Sequence, residues 1–169
     1  MIKHIIGILF LLLFSGCVGQ SKYTPVSYYD FGQPELSKIE LNVDTFTVEG
    51  PYQERFIYRV DGNRLDKDEY KRWAQAPDLL LAHYFKQSFK PGSLFYLSGE
   101  ILTVEHDLVD NEAKFKIIYS ITKEGRSIKA ATFQKSFPTD GTTESFVTQI
   151  SKAVSELNTE VSNLVTQLK

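Results

Sequence analysis

The sequence holds one cysteine, one tryptophan and three histidines in 169 residues. A single cysteine excludes an internal disulfide, and with it no Cys/His pattern of zinc-ligand spacing can form. His83 and His106 stand isolated in the chain, too far from other ligand types to announce a metal site. Charge of one sign is missing as well. Nineteen basic residues stand against 21 acidic ones, so nothing electrostatic points to nucleic acid. No polybasic segment offers itself to anionic headgroups. The chain also lacks an apolar run of membrane-spanning length. Ile5 to Phe14, interrupted only by Gly7, makes about 15 Å of helix, half of a hydrocarbon core of roughly 30 Å. Catalytic signatures are absent too: there is no G-x-S-x-G elbow, no H-E-x-x-H and no phosphate-cradling glycine loop. Peptidase, lipase and nucleotidase chemistry therefore has no motif behind it, and no segment repeats.

What is present starts at the amino terminus. Lys3 and His4 head the short apolar run, which has the form of a signal peptide. The run ends in Phe14-Ser15-Gly16-Cys17, similar to the bacterial lipoprotein box of an apolar residue, two small residues and a cysteine; Phe14 stands where Leu is usual. A lone cysteine in an exported chain would otherwise be a reactive thiol in an oxidising compartment. Cleavage between Gly16 and Cys17, with lipid attached to Cys17, would consume it, and several acyl chains make such an anchor effectively permanent. The expected organisation is a signal peptide over residues 1–16, a lipidated tether over 17–27, and one globular domain over 28–169. Gly19, Gln20, Ser21, Lys22, Thr24 and Pro25 give the tether little to bury.

Period-2 patterning marks strands in the body. Tyr28 to Phe31 precedes Gly32 and Pro34; Ile39, Leu41, Val43, Thr45 and Thr47 alternate with Glu40, Asn42 and Asp44 as the inward face of a half-buried strand; and Phe56 to Val60 runs into the Asp61-Gly62 turn. Residues 64–75 read as a charged loop carrying Tyr70 and Trp73. Pro77 and Asp78 suit the first turn of a helix, which continues through Leu81, Tyr84 and Phe85 and stops by Pro91-Gly92. Three further strands follow as a meander, punctuated by Asp110-Asn111 and Glu124-Gly125. A last helix, capped by Thr142 or Thr143, places Phe146, Ile150, Val154, Leu157, Val161, Leu164 and Leu168 on one face. Packing on the sheet accounts for this face more simply than a coiled coil. The order is β-β-β-α-β-β-β-α: an α/β sandwich with two main helices.

Two polar clusters draw notice. Asp61, Asn63, Asp66, Asp68 and Glu69 invite a calcium reading. An EF-hand loop from Asp61 would need Gly at its sixth position and Glu at its twelfth, where the chain has Asp66 and Arg72. A solvated turn is the better account. Tyr70, Arg72, Trp73 and Pro77 allow two readings: aromatic anchors plugging the edge of the core, or an exposed patch of hot-spot composition for a partner or a second copy.

Tyr29-Asp30-Phe31-Gly32 behind a lipid-anchor tether, then Tyr58-Arg59, then Tyr70 with Arg72-Trp73-Ala74 and Ala76-Pro77, resemble the ABC-type transport auxiliary lipoproteins, a PqiC-like family. Ala76 stands where that family often has a second proline. The resemblance implies a mixed, largely antiparallel sheet similar to the TolB amino-terminal domain. It also implies a non-enzymatic lipoprotein that partners an MCE (mammalian cell entry) protein in moving lipids, with no cofactor beyond the lipid on Cys17. Ring-shaped homo-oligomers are part of the same implication. Val18, in place of the aspartate that retains lipoproteins at the inner membrane, points to the outer membrane, facing the periplasm. The alternative is a structural or assembly lipoprotein serving a secretin or outer-membrane barrel.

Overall fold

The computed structural model describes residues 23–168. Gly16, Cys17, the segment read as a signal peptide and the tether up to residue 22 lie outside the described residues. Strands β1 (Ser27–Tyr29), β2 (Asn42–Val48), β3 (Arg55–Arg59) and β4 (Leu65–Trp73) precede helix α1 (Pro77–Ser88). Then come β5 (Phe95–Asp107), β6 (Glu112–Lys123), β7 (Arg126–Pro138) and helix α2 (Thr143–Leu168).

All seven strands join one sheet in the order β1-β4-β3-β5-β6-β7, with β2 also paired to β5. β5 is the hub. One of its edges carries β2 beside residues 96–101 and β3 beside residues 106–107, both parallel, and β6 runs antiparallel along the other edge. The long β5-β6-β7 meander makes the sheet mostly antiparallel, and with two helices packed on it the molecule is an α/β sandwich.

Local chemistry explains the turns. Glu124 and Gly125 both have positive φ, 50° and 75°, between the paired residues Lys123 and Arg126. That is a two-residue hairpin of the primed type, whose twist matches its strands. Gly99 answers a different need: a Cβ there would sit 2.9 Å from the Phe46 ring and 3.0 Å from the Ile118 carbonyl. The missing side chain lets Phe46 cross β5 and stack on Phe85 of α1 at 5.6 Å. Thr142 is the cap of α2, its Oγ1 accepting from the Ser145 N–H at 3.2 Å. α2 lays Phe146, Ile150, Val154, Leu157 and Val161 fully into the core against the sheet. Among the described residues no helix is long and apolar enough to cross a membrane.

Two local expectations are corrected. Residues 64–75 are not a loop, since Leu65–Trp73 forms β4 between β1 and β3. The sequence LDKDEYKRW hides a strand because its register against β3 shifts between Arg55 and Ile57, and Trp73 is the one residue of the nine that is fully buried. In β2 the buried residue is Phe46, with Thr45 and Thr47 exposed, because the register against β5 slips between Val43 and Phe46. A one-residue slip moves every following side chain to the other face.

Candidate functional site

The segment from Tyr70 to Pro77 divides by burial. Trp73 is 2% exposed, its ring centre 4.5 Å from Phe56, 5.2 Å from Phe31 and 5.9 Å from Phe146. Its backbone N–H donates to the Glu54 carbonyl at 2.6 Å. It is a core anchor tying β4 to β3 and α2, so of the two readings the aromatic plug at the edge of the core is the one that Trp73 takes. Pro77 is buried as well. Tyr70 is 44% exposed, and Arg72 is half-buried with its Nε hydrogen-bonded to nothing. Across the β3–β4 register Arg72 faces Arg55, and on its other side it faces Tyr28 of β1, which is 63% exposed.

Next to this surface lies a cleft of about 560 Å³. Its walls bring Arg55 and Lys67 from β3 and β4 against Glu54 and Asp78, with Val48 and Pro51 supplying apolar surface. Asp78 stands in the first turn of α1, where the cap residue Ala76 has no side chain to satisfy the backbone N–H groups. One Asp78 carboxylate oxygen is buried without a hydrogen bond. The cleft is thus charged with both signs and open beside two exposed tyrosines, a surface for contact.

The other concentration of titratable groups is Glu105-His106-Asp107 at the end of β5, with exposures of 2%, 1% and 1%. Strand alternation sends the two carboxylates to one face and the imidazole to the other. Glu105 accepts from Arg59 Nε and Nη2 at 2.7 and 3.0 Å and from the Tyr52 hydroxyl at 2.8 Å. Burial, together with this hydrogen bond, pushes the Tyr52 phenol up to about 12. Asp107 pairs with Lys114 Nζ at 2.6 Å and accepts from the N–H groups of Val109 and Asp110. Burial alone would raise its pKa, yet Lys114 and these backbone donors hold the carboxyl below its usual range. Buried carboxylates so fully partnered close a hairpin and lock β3 to β5; they are not open to a substrate.

On the helix side, the His106 ring lies 5.0 Å from Phe146 and nearly parallel to it. Its Nε2 hydrogen-bonds the Thr139 hydroxyl at 3.0 Å, and Nδ1 is buried without a partner. Burial, then the Lys71 ammonium, lowers its pKa. Close by, the Tyr58 hydroxyl donates to Asp68 at 2.7 Å, and Lys71 hydrogen-bonds Thr143 at the start of α2. Asp61 spends an oxygen on the turn N–H groups of Asn63 and Arg64, and Asp68 one on the N–H groups of Tyr70 and Lys71 within β4. Among the described residues no group of three His, Cys, Asp or Glu could hold a metal ion.

The fold and this surface define a single-sheet α/β sandwich whose charged cleft opens next to its tyrosine-bearing edge. That fold is shared with solved structures. One is of an uncharacterized protein, at TM-score 0.73 and 12% identity, covering 84% of this chain and 99% of the other. Another is protein XCC0632 from Xanthomonas campestris, of the DUF330 family, at TM-score 0.64 and 17% identity, covering 87% and 99%. A PelC dodecamer from Paraburkholderia phytofirmans matches at TM-score 0.36 and 12% identity, covering 73% and 91%, too distant in shape to carry an argument. No family model and no curated protein matches the chain.

Proposed function

We propose that the chain is an envelope lipoprotein, anchored through Cys17 in the outer membrane and facing the periplasm. Its role is that of a non-catalytic auxiliary component of an MCE-type ABC transport system for lipids or other hydrophobic molecules. The observation that carries the proposal is the apolar run ending in Phe14-Ser15-Gly16-Cys17, set ahead of a polar tether and a single sandwich domain. Support comes from the resemblance of Tyr29 to Pro77 to the auxiliary lipoproteins and from the fold shared with a DUF330 protein. In this reading the cleft beside Arg55, Lys67 and Arg72, with Tyr28 and Tyr70 at its side, meets the MCE protein or a second copy in a ring. Mixed charge flanked by tyrosines suits a contact that must be specific and reversible.

Crosslinking in intact cells followed by purification of the native lipoprotein tests it. An MCE-domain protein should be recovered, and Tyr70→Ala with Arg72→Ala should reduce its recovery while the thermal melt stays within a few degrees. Recovery of a secretin or barrel component instead would transfer the protein to envelope assembly.

A further inference from the structure

We propose that the free edge of β7 docks an extended acidic strand from a partner protein, added to the sheet through backbone hydrogen bonds. The inference concerns the edge opposite the cleft and stands whether or not the transport reading does. Among the described residues β7 pairs with β6 from Arg126 to Pro138 and has no strand on its other side. Thirteen residues at about 3.4 Å each leave a row of unpaired N–H and C=O groups some 40 Å long. Edges of that length are normally shortened, bulged or covered. The one irregularity in this ladder lies at its turn end, opposite Ile121 and Thr122. Only Phe133 is buried along the strand. A backbone edge specifies its own complement, which is another extended chain.

Charge decides which chain. β7 carries Arg126, Lys129 and Lys135 and no acidic residue. Lys152 of α2 adds a fourth cation, 4.6 Å from the Phe137 ring. Lys135 is already paired with Glu156 at 3.0 Å, and Glu160 accepts from the Tyr119 hydroxyl at 2.7 Å, so the attraction falls to Arg126 and Lys129 on the strand and Lys152 beside it. A second copy of β7 is a poorer match, because it brings no carboxylate to Arg126 and Lys129 and, paired antiparallel about Thr132, sets Lys129 opposite Lys135 at both ends. Like charges directly opposite destabilise a strand pair. The same lysines that repel a copy favour an acidic strand. Its other side chains find apolar surface at the exposed Ile118 and Ile128. On the helix side they meet Phe133 in a cleft of about 400 Å³ lined also by Lys135, Glu156, Thr159, Glu160 and Asn163, so it is the apolar and not the acidic side chains of the added strand that face α2.

Amide hydrogen exchange on the full-length protein in detergent tests this with two ten-residue peptides, one alternating Val and Glu, the other Val and Lys. The Val-Glu peptide should slow exchange at alternate amides between residues 127 and 137 and bind at least about tenfold more tightly than the Val-Lys peptide. Arg126→Glu with Lys129→Glu, both at exposed positions, should abolish that preference. Slowing by neither peptide, equal slowing by both, or slowing confined to another strand would overturn the proposal. So would protection, in the protein alone, of the alternate β7 amides that do not bond to β6: concentration-dependent protection would assign the edge to a second copy, and concentration-independent protection to another segment of the same chain.

Discussion

Trp73 is held by Phe31, Phe56 and Phe146 at the meeting point of β4, β3 and α2. Trp73→Ala should therefore cost about 3–5 kcal/mol and lower Tm by roughly 10 °C, read by thermal melting. Breaking the Arg59–Glu105 pair leaves a carboxylate buried without its counterion, so Arg59→Met should cost about 3 kcal/mol in a denaturant titration. A loss under about 1 kcal/mol would mean that the Tyr52 hydroxyl and solvent suffice. His106 gives a pH dependence whose sign follows from its lowered pKa. The unfolded chain, with a histidine near 6.5, takes up a proton first as pH falls. Its contribution is thus fully present above about pH 6.5 and is lost as pH drops through the folded-state value. His106→Gln should flatten Tm against pH between about 7 and 5. None of this triplet was legible from residue order. Glu105-His106-Asp107 reads in sequence as the end of a strand until topology supplies Arg59 from 46 residues upstream.

At the scale of elements, β5 and β6 depend on how closely other elements approach them. Gly99→Val would drive a side chain into Phe46 and the Ile118 carbonyl. It should cost about 1–3 kcal/mol, with the loss registered as faster amide exchange in β2 rather than in β7. Equal loosening across the sheet would contradict this local account. Removing the α2 cap by Thr142→Ala should cost about 1 kcal/mol. Elements with strong punctuation were readable in sequence. Pro77 opens α1, Glu124-Gly125 closes the β6–β7 hairpin, and the apolar stripe from Phe146 onward marks α2. β4 was not, because a strand with one fully buried side chain in nine and a broken register has no apolar period to detect. β2 was found as a strand but assigned the wrong inward face beyond Val43, since a bulge leaves no mark on composition.

At the scale of the molecule, the described domain has a partly buried basic and aromatic surface near β1 and a long basic edge at β7, separated by the width of one sheet. β1 and the cleft lie toward one edge of the sheet and β7 forms the other. The proposed location rests on Cys17, and metabolic labelling with radioactive palmitate is the most direct test of it. The native protein should carry label and fractionate with the outer membrane, and Cys17→Ala should carry none and be released. Label retained in Cys17→Ala, or none in the native protein, would contradict the account.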